Sequence, residues 1–420
     1  MYYFYYLPFS VNKPAELKKM EIKTLLTGAF LLLGMSCITN GISSPNFITD
    51  EEFKQAELLS SSKPFTNDTP PLILPPQDTA RFQTRAVGMR IWTNAQVPYM
   101  LDAKFTADMR VRVAEAINNF HKNTCIRFVP KQNRHTSWVK ILYDDNVCGL
   151  AHMCMNNGAQ FAKFGGGCVT SGVMTHELGH TLCLGHEQTR QDRDNWIGFD
   201  TSKCSPPGKD DLPFGLHKLY DYVSIEHYEG ECYNGCYLPK QPGVTKCGSG
   251  GSLSVLDIEL LNEMYGCNSD CLGYRFVNRN SLTSSSNMVL IGWEADGTPL
   301  YNCRVYHQGD IIPGKYHTAS KNCDIVWGGR EYAKGGSDQI EVLTNPHSNA
   351  LRWVRSDTLP AGAIRGGRTA SRETLYVVSC LNNNRNWMPG SYHVSGGGYY
   401  GFGGSEFKCK SGDMEFLVCT

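Results

Sequence analysis

The run His176-Glu177-Leu178-Gly179-His180-Thr181-Leu182-Cys183-Leu184-Gly185-His186-Glu187 constrains this chain more than any other stretch, because it sets three imidazoles and a carboxylate at metal-ligand spacing. On a helix, His176 and His180 project from one face, where two ring nitrogens can bind one ion while Glu177 reaches the water beside it. His186 lies too far round to share that face, so the helix must stop and the chain turn back, which Gly185 eases. Three neutral imidazoles leave the fourth zinc position to water. The spacing therefore predicts one Zn2+ held by His176, His180 and His186, with Glu177 as the base.

Beyond the third histidine the chain reads Glu187-Gln188-Thr189-Arg190-Gln191-Asp192-Arg193-Asp194-Asn195. This resembles the H-E-x-x-R-x-D-R-D signature of the astacin family of metzincin zinc endopeptidases. Ile91 to Tyr99 is similar to the opening strand of that catalytic domain, and the resemblance runs from about Arg90 to Cys267. It implies an α+β domain over 86–267, two-lobed, with zinc in the central cleft and protein or peptide substrates. Tyr228, in Ser224-Ile225-Glu226-His227-Tyr228, takes the place of the family's switchable zinc-binding tyrosine, a donor for the developing oxyanion. The resemblance also implies disulfides Cys125–Cys267 and Cys148–Cys168, and a mature amino terminus buried near Glu187. Phe47-Ile48-Thr49-Asp50 is similar to the F-x-G-D motif whose aspartate plugs the zinc, which makes Asp50 the candidate switch.

Two positions depart from the family. Glu226 replaces the methionine that floors the zinc. Its carboxylate has three courses open: to pair with the cation, to add a ligand, or to stay protonated, since burying it ionised and unpartnered is costly. Cys183 replaces the glycine at which the zinc helix turns, and positive φ there costs on the order of 1 kcal/mol. Its thiol has three fates open: pairing with an extra cysteine such as Cys154, staying free near the metal, or packing as a small hydrophobe.

The 420 residues suit two or three domains, and 40 basic against 40 acidic side chains give no overall pull toward nucleic acid or anionic membrane. Residues 18 to 37 place Lys18, Lys19 and Lys23 before an apolar run and small residues, a secretory signal pattern with Met20 as an alternative start. The apolar core falls short of a transmembrane span. Leu33-Gly34-Met35-Ser36-Cys37 leaves lipid anchoring at Cys37 as the alternative to a secreted, extracellular protein. The signal region is thus 1–37. Removing it leaves sixteen of the 17 cysteines, an even number that argues for disulfides. Residues 38–85, rich in Ser, Thr, Pro and acids, read as a pro-segment ending at Thr84-Arg85-Ala86-Val87.

Thr106 caps a predicted helix whose Met109, Val113, Ile117 and Phe120 share one face. Cys125 to Pro130 and Val139 to Tyr143 read as strands, and Ser254-Val255-Leu256-Asp257 opens a last helix that Gly266 can end. From 275 to 420 short alternating runs repeat at a period of about 75 residues. Pro313-Gly314-Lys315-Tyr316-His317 aligns with Pro389-Gly390-Ser391-Tyr392-His393, and Gly328-Gly329-Arg330-Glu331 with Gly403-Gly404-Ser405-Glu406. This all-β module resembles the DM-nine repeats of natterin-like proteins, a family that includes mannose-binding lectins. The sugar-contacting pair would fall near Asp296 and Lys315, with mannose-type glycans as partners; the second copy has Ser371 and Ser391 there. The sequence thus points to a secreted zinc metalloendopeptidase, made as a zymogen, with a lectin-like module. The rival reading is a catalytically impaired, metalloprotease-like carbohydrate-binding protein.

Overall fold

The computed structural model describes residues 45–61, 90–210, 218–228, 232–248, 250–267, 273–283, 286–345 and 351–419. The expected signal region, the alternative start at Met20, Cys37 and the processing point at Arg85 lie outside them. Among the described residues no helix is long and apolar enough to cross a membrane.

The chain enters through α1 (Asp50–Ser61). Thr49 and Glu52 cap its first turn reciprocally: the Thr49 amide donates to Glu52 Oε2 over 2.7 Å and the Glu52 amide to Thr49 Oγ1 over 3.3 Å. A five-stranded sheet follows, built from β1 (Gln96–Leu101), β2 (Arg127–Pro130), β3 (Ser137–Tyr143), β4 (Gly149–Ala151) and β5 (Gly158–Phe164). Its order is β2-β1-β3-β5-β4, parallel except for the antiparallel edge β4. Between β1 and β2 runs α2 (Ala107–Asn123), capped by Thr106 as the sequence predicts, with Val113, Ile117 and Phe120 in the core and Met109 packed at its border. The helix that carries the metal motif, α3 (Ser171–Thr181), follows β5 and packs on α2.

The second lobe is sparser. It holds the antiparallel pair of β6 (Ile197–Phe199) and β7 (Tyr237–Pro239), the short turn of helix α4 (Cys232–Gly235) before β7, and α5 (Val255–Met264), whose Ser254–Asp257 capping box forms as expected. Gly266 takes φ +64° just beyond α5. Disulfides Cys125–Cys267 and Cys148–Cys168 are both present, and Cys154–Cys183, Cys204–Cys236 and Cys232–Cys247 join them.

The carboxyl-terminal module starts at β8 (Arg275–Asn278) and β9 (Leu290–Trp293). The first repeat folds as the meander β10 (Pro299–His307), β11 (Asp310–His317), β12 (Asn322–Trp327) and β13 (Arg330–Lys334). After β14 (Ile340–Thr344), β15 (Leu351–Arg355) and β16 (Arg365–Arg368), the second repeat gives β17 (Thr374–Leu381), β18 (Trp387–His393), β19 (Gly397–Phe402) and β20 (Ser405–Lys408); β21 (Met414–Cys419) closes the module. The aligned segments coincide: both Pro-Gly motifs lie in second strands, and both Gly-Gly pairs make the turn into the fourth. The repeats meet where Arg330 pairs with Ser405. There the Gly404 amide donates to Glu331 over 2.9 Å, and the Gly329 amide returns the contact to Glu406. Each repeat carries one disulfide, Cys303–Cys323 and Cys380–Cys409.

Candidate metal centre

Thr170 caps α3 by accepting from the Val173 amide over 3.2 Å, and the helix ends after Thr181. Cys183 then takes φ +74°, the left-handed turn expected of it, and the Leu184 amide closes back on the Gly179 carbonyl over 3.0 Å. Of the open fates for Cys183, pairing with Cys154 is the one found. The reversal carries His186 to the other two imidazoles: His186 and His176 Nε2 atoms lie 3.2 Å apart, and the ring centroids are 4.6 to 5.2 Å from one another.

The donor set fits a zinc ion. His176 Nδ1 donates to the Ile225 carbonyl and His180 Nδ1 to the Leu184 carbonyl, each over 2.8 Å, which fixes the tautomer and frees Nε2 on both rings. Burial lowers the pKa of all three rings, His180 to about 3, with neighbouring rings adding to the shift at His180 and His186. They are therefore neutral, as ligands must be. Glu177 is 7% exposed and burial pushes its carboxyl up to about 8. It packs over Gly149 on edge strand β4, where a β-carbon would overlap the carboxylate.

Glu226 joins the cluster from behind. Its Oε2 lies 3.2 Å from His176 Nδ1 and 3.4 Å from His180 Nδ1, and it is 1% exposed. Neither oxygen takes an aligned hydrogen bond, because both Nδ1 hydrogens already point at backbone carbonyls. Burial raises its pKa well above the carboxylate range, and the charges of Asp257, Glu177 and Glu187 add to that, which favours the protonated form while no cation is bound. Gly179 makes the room: a β-carbon there would overlap Glu226 Oε1.

The residues after His186 build a support. Arg190 donates to Glu187 Oε1 over 2.7 Å and makes a bidentate pair with Asp192 at 2.9 and 2.8 Å. Burial pushes Glu187 up to about 7 against the pull of Arg190, and its Oε1 also accepts from the Asp221 amide over 2.7 Å. Asp257 holds the turn before Tyr228, accepting from Ser224 Oγ over 2.6 Å and the Ile225 amide over 2.8 Å. The Tyr228 ring then stands edge-on to His186, with centroids 5.4 Å apart.

Asp50 is not brought to this cluster. The capping pair of Thr49 and Glu52 turns it outward as the exposed first residue of α1, which packs on α2; Arg110 of α2 binds Glu52 and, over 2.9 Å, the Pro45 carbonyl. In the module, Asp296 is exposed at the β9–β10 turn, where it accepts from the Thr298 amide over 2.9 Å. Lys315 is buried against Glu331 at 2.8 Å, with Glu294 at 3.9 Å. The carboxylates that Lys315 meets are therefore not Asp296. Sequence reading passed over Glu331, although it lies inside the repeat's Gly-Gly-Arg-Glu motif.

Residues 84–266 match the Astacin family of peptidases, and residues 221–334 and 294–409 match the DM9 repeat. Zinc metalloproteinase nas-4 of Caenorhabditis elegans is 29% identical over 212 residues, 46% of this chain and 67% of that protein. Zinc metalloproteinase nas-7 of the same species is 32% identical over 42% of this chain, and embryonic protein UVS.2 of Xenopus laevis 34% identical over 41%. The chain spans 49% and 35% of those two relatives. Among solved structures, high choriolytic enzyme 1, a hatching enzyme zinc-protease of Oryzias latipes, aligns at 26% identity and TM-score 0.39, covering 46% of this chain and 98% of that one.

Proposed function

We propose that the chain, whose residues 84–266 match the Astacin family and whose later residues match the DM9 repeat, is an exported zinc endopeptidase that hydrolyses peptide bonds of protein substrates. The observation that carries this reading is the convergence of His176, His180 and His186, with two Nδ1 atoms tied to carbonyls and Glu177 buried beside them. His176, His180 and His186 would hold the zinc, which would supply an acidified water and a Lewis acid for the scissile carbonyl. With the charge of a bound zinc favouring its ionised form, Glu177 would accept the proton of the attacking water and return it to the leaving amine as the C–N bond breaks. Tyr228, beside His186, is suited to donate its phenol hydrogen to the developing oxyanion. Edge strand β4 lies over Glu177 and pairs with β5; among the described residues no strand pairs with its other edge, which leaves that edge to an extended substrate.

We read 38–85 as a pro-segment removed near Arg85, of which 45–61 docks on α2. The freed amino terminus would find its partner at Glu187. The DM9 module is read as a carbohydrate-binding unit that concentrates the enzyme on mannose-bearing targets. Disulfides in both domains fit an oxidising, extracellular setting. The second reading, a catalytically impaired binding protein, is favoured by Glu226 alone. Chelation of the processed protein should abolish cleavage of an unfolded protein substrate and zinc should restore it. Cleavage that survives a chelator able to empty the site would refute the metal's role.

A further inference from the structure

The segment 218–228 has two faces. One serves the metal centre: Ile225 orients His176, and Tyr228 stands against His186. The other is gripped by the β-module. The Leu219 amide donates to Glu341 Oε1 over 2.9 Å. Tyr306 donates its hydroxyl hydrogen to the Tyr220 carbonyl over 2.7 Å, and Arg368 reaches Asp221 Oδ1 at 3.3 Å and Tyr306 at 3.1 Å. Asp221 in turn donates its amide to Glu187, the residue after the third histidine.

These contacts are not at a wet surface. Arg368 is 2% exposed, Asp221 3% and Glu341 1%. Glu341 is held by Arg304, whose guanidinium is fully buried between it and Glu259 of α5, at 2.7 and 2.6 Å. Tyr306 and Ile311 of the module also share one apolar cluster with Trp196, Tyr220 and Tyr222 of the second lobe. Two of these buried ion pairs, Arg368–Asp221 and Arg304–Glu259, cross the domain boundary, so slippage there would pull buried charges from their partners. The DM9 match begins at residue 221, inside the astacin match, which fits a shared element.

We propose that Arg368, Tyr306 and Glu341 are positioning residues of the peptidase site: from the β-module they fix segment 218–228 and, through it, Tyr228, making the module part of the catalytic scaffold rather than a separable tether. This rests on the peptidase reading for its kinetic test but not for its structural one. In the zinc-loaded full chain, Arg368→Met should let the amides of 218–228 exchange with deuterium about tenfold faster while those of β3 and β5 stay unchanged. Exchange equal to the parent would overturn the proposal. Should Arg368→Met fail to fold, Tyr306→Phe removes one hydroxyl and is expected to act in the same direction.

In turnover, Arg368→Met should lower kcat by about tenfold with KM nearly constant, and Arg368→Lys should recover part of the loss. Placed in a Tyr228→Phe background, Arg368→Met should cost little more, because its effect passes through that tyrosine. An equal loss in both backgrounds would mean general loosening and would contradict positioning of Tyr228. A parent chain that cleaves nothing would refute the peptidase reading, and the exchange result would then decide the positioning claim alone.

Discussion

Replacing Glu226 by methionine should stabilise the zinc-free protein. The carboxyl is 1% exposed, and both of its oxygens lack an aligned hydrogen bond beneath His176 and His180. A buried polar group left unsatisfied costs about 1–3 kcal/mol, and methionine fills a similar volume without that cost. The approach of Oε2 to two imidazole nitrogens, at 3.2 and 3.4 Å, recovers part of the penalty and places the gain toward the lower end. For a domain of this size each kcal/mol moves the midpoint by roughly 2–4 °C, so Glu226→Met should raise Tm by roughly 2–8 °C. The assay is scanning calorimetry of both zinc-free chains with their disulfides intact. An unchanged or lower midpoint would refute the claim that Glu226 is an uncompensated buried group, and would mean that Gly179, shaped to the carboxylate, does not accommodate the thioether.

Three further outcomes follow from named contacts. Gly149→Ala puts a methyl where the Glu177 carboxylate sits, so kcat should fall by more than about tenfold at full zinc content; parent-like turnover would show that Glu177 does not rest on β4. Deleting the Cys154–Cys183 bridge, which closes a separation of 29 residues, should cost roughly 3–4 kcal/mol in urea unfolding. The version with glycine at 183 should lose about 1 kcal/mol less than the version with alanine there, given φ +74°, and equal losses would contradict strain at that turn. Burial pushes the Glu52 carboxyl up, but hydrogen bonds from Arg110 and Thr49 win and hold it below 4.5. A depressed folded pKa adds stability that is full above the unfolded value and lost as pH falls through the folded one, so docking of 45–61 should be intact at neutral pH and weaken below about pH 4.5. Protease nicking of that segment that does not change on acidification would count against this.

The metal centre was legible because its chemistry is local: three histidines and a glutamate within eleven residues can face one ion only if a helix ends and the chain doubles back. The repeat and the capped helices α2 and α5 were legible for the same reason, since caps and turns leave short-range signatures. The capping box of α1 was equally short, Thr49 to Glu52, yet it sits in a polar stretch with no apolar period to draw notice. It decides where Asp50 points. What no local pattern reveals is the seam between the domains. Arg368 and Asp221 are 147 residues apart, and Arg304 and Glu259 45 apart; each alone reads as an ordinary surface charge. Lys315 is the converse case: its position in the repeat is plain, but its partner Glu331 comes from register, which follows from the pairing of β11 with β12 and β12 with β13.

Comparing the processed parent chain with Glu177→Ala on a mixed peptide library, both carrying one zinc per chain, asks whether Glu177 acts beside a zinc held by His176, His180 and His186. Cleavage by the parent that a chelator abolishes, with none by the variant at unchanged zinc content, is the expected result. Equal cleavage by the two, or no cleavage by a fully loaded parent, would contradict it.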